Sequence, residues 1–225
     1  MWKDSKSCDH PSGFTLVELA IVLVIIGLIL AAVLKGQEMI ENAKVKNVVN
    51  DLRGVSAAYY AYQDRYKAIP GDDATATAHL GQTAYAGNGD GIITGTYLDA
   101  AAPPATESQY FWQHTRMAGF LTGTATATAA LPGTNAVGGL LGVQGGTSAA
   151  PVYGMVGAAV CASNIPWKIA QAVDTVIDDG NSDTGTVRAG LVGIQATNIA
   201  AQLVYGTGAA APASTDQLHT LCMKI

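Results

Sequence analysis

Residues 14 to 34 form an apolar run whose one ionisable group is Glu18. As a helix at 1.5 Å per residue this stretch is about 30 Å long, enough to cross the hydrocarbon core of a bilayer. A cleaved secretory signal is usually shorter and ends in small residues, for which Ala31 and Ala32 are weak equivalents. The run therefore reads as a retained anchor. Glu18 sets it apart from a plain one. A carboxylate at the centre of a spanning helix costs about 2.5 to 3.5 kcal/mol, and even nearer the helix end it calls for a partner.

Gly13, Phe14, Thr15, Leu16, Val17 and Glu18 together resemble the prepilin cleavage and methylation signature of type IV pilins and type II secretion pseudopilins. The resemblance implies that a prepilin peptidase cuts between Gly13 and Phe14 on the cytoplasmic side and methylates the new amine of Phe14. Residues 1–13 would be the leader, and residues 14–34 a transmembrane helix that later becomes filament core. Gly27 falls where these families carry a helix-softening glycine. The leader departs from the short basic type, since Lys3 and Lys6 are balanced by Asp4 and Asp9, and no proline occurs between Pro11 and Pro70.

The charges give this arrangement a physical rationale. A carboxylate four residues from a freshly made amine cannot fold back on it without straining the first turn. Glu18 of one subunit is better matched to Phe14 of another, which would compensate two desolvated charges and fix the stagger of the helices. Implied partners are copies of the chain or related pilins, the inner-membrane assembly machinery, and lipid before assembly. The implied location is the bacterial inner membrane for the precursor, then a periplasmic or extracellular filament. A tethered, calcium-dependent binding module that never polymerises is the alternative reading.

Beyond Leu34 the pattern becomes one-sided. Val45, Val48, Leu52, Val55, Tyr59, Tyr62 and Tyr66 recur at spacings of three and four, which predicts an amphipathic helix over 35–67 with one face against its own domain. Ile69-Pro70-Gly71-Asp72 stops it, because the residue before proline is pushed to extended geometry. Residues 68–225 are then an exported globular domain. Thr106-Glu107-Ser108-Gln109 has capping-box form ahead of a short helix bearing Tyr110, His114, Met117 and Leu121. Strands are expected at 137–143, 152–161 and 187–194. A second helix follows Pro166 with Ile169, Val173, Val176 and Ile177 on one face, 208–214 is a loop, and the tail through Cys222 closes the domain. The expected class is α+β: a long N-terminal helix packed on a globular domain with a small antiparallel sheet, in the manner of pilins.

Composition bears mainly on what is excluded. Lys+Arg 12 against Asp+Glu 17 gives a net charge of −5, which disfavours a nucleic-acid partner. No P-loop, Gly-x-Ser-x-Gly, His-Glu-x-x-His or Cys-x-x-Cys is present, so no catalytic constellation is legible and an enzyme is not expected. His114, on the apolar stripe of its helix, reads as a packing histidine. Of three cysteines, Cys8 would leave with the leader, so Cys161 and Cys222 remain as an even pair for an oxidising compartment. Their bridge would close about 60 residues and contribute on the order of 4 kcal/mol.

Two acidic loops suggest calcium, which takes closely spaced oxygen ligands. Asn88-Gly89-Asp90-Gly91 mimics the middle of an EF-type loop, but Ala86 occupies its first ligand position and Tyr97 its last. Asp178, Asp179, Asn181 and Asp183 form a denser cluster, and the resemblance to major pseudopilins implies a calcium-stabilised loop there. The competing reading of both is turn chemistry.

Overall fold

The computed structural model describes residues 15–99, 106–124, 131–191 and 218–225. The expected leader and cut at residues 1–14 and the loop expected at 208–214 lie outside the described residues. Helix α1 runs unbroken from Leu16 to Tyr66. With no proline inside it, the main-chain hydrogen-bond ladder has no gap to bridge. The chain divides into two units, Met1–Asn42 and Ala43–Ile225. In the first, the apolar side chains of α1 are bare, from Leu16 at 83% to Leu34 at 66% exposure. In the second, Val45, Val48, Val49, Leu52, Val55, Ala58, Tyr59 and Tyr62 are buried on one face. Lys67 then turns the chain out of the helix in the left-handed region, at φ 54°, its N–H still donating to Gln63 O at 2.8 Å.

The domain is α+β. Helix α2 spans Ala76–Leu80, α3 Glu107–Met117 and α4 Trp167–Ile177. Strands β1 (Gly133–Thr134), β2 (Leu140–Gly146), β3 (Gly157–Pro166), β4 (Val187–Leu191) and β5 (Leu218–Lys224) form one sheet in the order β1-β2-β3-β5-β4. Every pairing is antiparallel. Alternation along β3 and β5 sorts side chains by face. Val160, Ala162 and Leu221 join the buried face of α1, Phe111 and Trp112 of α3, and Ile169, Ala170 and Val173 of α4. Cys161, Cys222 and Ala159 look the other way, toward Tyr97, Val152, Tyr153 and Met155. Beyond the short β1, the edge of β2 is covered by the segment through Ile93 and Tyr97. Gly145 N–H donates to Ile93 O at 2.8 Å, and a Cβ at Gly142 would strike the Tyr97 carbonyl.

Three expected elements shift. The strand expected at 137–143 begins at Leu140, because Asn135 caps a turn: its Oδ1 accepts from Val137 and Gly139, both at 3.0 Å. The strand expected at 152–161 is displaced to Gly157–Pro166. Val152 and Met155 instead bridge each other across Tyr153 and Gly154, both at positive φ, while their side chains stay buried. On α4, Val176 faces solvent at 58% exposure and Asp174 takes a buried place on the inner face. Strand β4 is described to Leu191; residues 192–194 of the expected strand lie outside the described residues.

Candidate functional site

Thr15, the first described residue, precedes the first turn of α1. Its N–H and its hydroxyl both donate to Glu18 Oε2 at 2.8 Å, and Glu18 N–H donates back to Thr15 Oγ1 at 3.3 Å. This reciprocal pair is a capping box, and it satisfies donors that the start of a helix leaves open. The Glu18 carboxylate is therefore not bare in the single chain. Its Oε1 carries no hydrogen bond among the described residues. The role of Thr15 was missed in the sequence reading, although Thr-x-x-Glu ahead of an apolar run is the written form of this motif. Gly27 sits mid-helix with nothing within 4 Å of where a Cβ would stand, so no packing among the described residues explains a residue that costs about 1 kcal/mol against alanine. Gly13 and Phe14 lie outside the described residues.

The two cysteines are direct partners across β3 and β5, joined with Sγ–Sγ 2.07 Å. Both are fully buried.

At the end of α4, Asp174, Asp178 and Asp179 each offer an oxygen within 4.8 Å of the others. Asp174 is one turn before Asp178 on the helix and was absent from the expected set. Asn181 and Asp183 serve the loop: Asn181 Oδ1 accepts from Asp183 N at 3.2 Å. Asp178 Oδ2 accepts from the N–H groups of Thr186 and Val187, and Asp179 Oδ2 accepts from the Thr184 hydroxyl at 2.5 Å. The carboxylate set matches the oxygen chemistry of a hard divalent ion, and the same groups already close the loop without one.

The glycine-rich loop is clearer still. Asp72 accepts from the N–H groups of Gly89, Asp90 and Gly91 at 2.6, 3.2 and 2.7 Å. Glu107 accepts from Asn88 N and Thr94 N at 2.9 Å each. Successive loop amides form an anion cradle, and the anion is the protein's own carboxylate. Asn88 and Asp90 make Asx turns, Asp90 N donating to Asn88 Oδ1 and Ile92 N to Asp90 Oδ1.

His114 is fully buried, with Nδ1 accepting from Gly71 N–H at 2.9 Å and Nε2–H donating to Tyr85 O at 2.6 Å. Those bonds fix one neutral tautomer. Burial holds its pKa below the usual histidine value.

One family model, the prokaryotic N-terminal methylation motif, matches residues 10–34. No curated protein and no solved structure matches the chain. The matched residues take in the Thr15–Glu18 cap and the exposed apolar part of α1, which is long and apolar enough to cross a membrane. Together they fit a membrane-anchored precursor and point to a structural protein; the motif implies processing by a prepilin peptidase and assembly with pilins. Across residues 10–34 the chain carries the N-terminal methylation signature of type IV pilins and pseudopilins.

Proposed function

We propose that the chain is a structural subunit of a type IV pilus or type II secretion pseudopilus. In this reading prepilin peptidase removes residues 1–13 and methylates Phe14, and the subunit polymerises through the N-terminal half of α1. The observation that carries it is the methylation motif laid on a helix whose apolar side chains, from Leu16 to Leu34, are exposed among the described residues. Apolar surface of that extent needs lipid first and neighbouring helices afterwards. Glu18, held by Thr15 through one oxygen, has the other for the amine of a neighbouring Phe14. Intact-mass analysis of purified protein tests the reading: a chain beginning at methylated Phe14 supports it, and a terminus near Lys35 overturns it.

In the exported domain, the Cys161–Cys222 bridge staples the middle of the sheet in an oxidising compartment. Calcium, where bound, would be held by Asp174, Asp178 and Asp179 at the base of the 178–186 loop. An unfolding midpoint that chelation leaves unchanged removes calcium from this reading.

A further inference from the structure

Among the described residues, glycine directly follows an exposed Asn or Asp at Asn88-Gly89, Asp90-Gly91 and Asp179-Gly180. With no Cβ, glycine does not hold the preceding side chain off its nitrogen, so such links are open to self-modification. For Asn88 the only co-reactant is water. Solvent base takes the Gly89 N–H proton, the nitrogen bonds to Asn88 Cγ, and the side-chain amide nitrogen departs as ammonia with a proton from solvent. Water then opens the cyclic imide, at the old Cγ to leave aspartate or at the main-chain carbonyl to leave isoaspartate.

The turns at Asn88 and Asp179 are built alike. Gly89 stands at φ 78° and Gly180 at φ 77°. Oδ1 of Asn88 accepts from Asp90 N–H at 2.8 Å, and Oδ1 of Asp179 from Asn181 N–H at 2.9 Å. The second side-chain atom is tied in both: Asn88 Nδ2 donates to Asp90 Oδ2 at 3.0 Å, and Asp179 Oδ2 accepts from the Thr184 hydroxyl at 2.5 Å. They differ at the glycine nitrogen. Gly89 N–H is donated to Asp72 Oδ1 at 2.6 Å, and Gly91 N–H, which follows Asp90, to Oδ2 of the same carboxylate at 2.7 Å. Gly180 N–H donates to no acceptor among the described residues. Asp178, beside that turn, gives its Oδ2 to the N–H groups of Thr186 and Val187.

Asp72 is 4% exposed, and the loop lies so close that a Cβ at Gly87 would strike its Cα. Packing thus keeps carboxylate and amide together. Removing the Gly89 proton would set an amide anion against a buried carboxylate, and a like charge in contact opposes ionisation. Salt screens a buried pair poorly. We propose that Asn88-Gly89 is a latent self-modification site, an imide former by sequence, which the Asp72 carboxylate holds inert in the folded chain. Unchecked, the reaction would plant a new carboxylate or an extra main-chain methylene in the loop that packs on the stop of α1.

The test is peptide mapping by mass spectrometry of the full chain in detergent, held folded at mildly alkaline pH with a chelator, and again in denaturant. Asp179→Asn gives one molecule two Asn-Gly turns of the same shape, one with the carboxylate and one without. In the folded chain, ammonia loss at position 179 should be at least about 10-fold faster than at Asn88, the least that a carboxylate touching the nitrogen should impose. In denaturant the two rates should converge. Asp72→Asn keeps the side chain's size and removes its charge, so it should speed the reaction at Asn88 by a similar factor while the unfolding midpoint shows the chain still folded. Should that variant not fold, the comparison within Asp179→Asn decides alone, since Asp72 is intact there. A folded-state rate at Asn88 equal to or above that at 179, or a folded Asp72→Asn chain whose Asn88 reacts as slowly as the parent's, overturns the proposal.

Discussion

Leu16–Asn42 and Ala43–Tyr66 belong to one helix, and both are rich in apolar residues, yet their side chains meet different surroundings. Val48, Leu52 and Tyr62 of the second stretch are fully buried within the chain. Leu19, Leu23, Ile26 and Leu30 of the first are 47% to 69% exposed. A helix of the second kind needs one apolar face, and its other faces carry Lys46, Arg53 and Asp64. The first, from Leu16 to Leu34, is apolar on every face apart from Glu18, which suits a solvent of lipid or of other helices. The boundary between the two is therefore written in the polarity of the faces, with no break in the backbone.

The largest test of this contrast is Glu18→Val. It removes the one charge from the apolar stretch, so processed, membrane-bound protein should equal or exceed the parent's. Surface filaments recovered by shearing should fall to near none, because the neighbouring Phe14 amine loses its counter-charge. Normal filament yield with the variant as principal subunit would remove Glu18 from the assembly role.

A matched pair of truncations sharpens the comparison. Leu52→Ala opens a cavity in the core and should cost about 2 to 5 kcal/mol of domain stability. Leu30→Ala, on bare surface, should stay within about 0.5 kcal/mol. Denaturant unfolding of the full chain in detergent, followed by the tryptophan signal, measures both. Equal losses would mean that the two stretches do not differ as described.

The smallest expected effect is one of pH, and it should reach only the buried half. Tyr62 stacks against His114, ring centroids 5.9 Å apart. Burial lowers the pKa of His114, and that of His219 likewise, from an ordinary 6.5. Below that value the unfolded chain takes up protons that the folded chain refuses. The stabilisation is thus complete above about pH 6.5 and is lost as pH falls toward the folded-state values. The unfolding midpoint should drop between about pH 7.5 and about pH 5.5, and His114→Gln should shrink the drop. A parent midpoint unchanged over that range would contradict the assignment.

Much of this was legible from residue patterns. The three-and-four spacing from Val45 to Tyr62 named the buried face of α1, and Ile69-Pro70 named its end. Strand positions were less legible, since Val152 and Met155 are as apolar and as buried as strand residues. What distinguishes them is a turn at Tyr153 and Gly154 that periodicity does not encode. In the Gly87–Gly91 loop, sequence showed the empty first ligand position at Ala86. It did not show that Asp72, far back in the chain, lies against the amides of that loop. Asp174 was hidden for a related reason: one turn of helix brings it beside Asp178, while its neighbours Val173 and Val176 suggested an apolar face.

The place of β5 in the sheet has a consequence for the order of events at the ribosome. β5 lies between β3 and β4, and β4 pairs with β5 alone among the described strands. Among the described residues, 187–191 therefore have no sheet partner until 218–224 have been synthesised, and Cys161 waits equally long for Cys222 on β5. By then residues 14–34 have long left the ribosomal tunnel. The apolar segment is available for targeting while the domain behind it still lacks β5, an interior strand of its sheet. Long-range strand pairing of this kind is slow to close, which in the proposed pilin reading would leave the following polypeptide translocatable during the interval in which it has to cross the membrane.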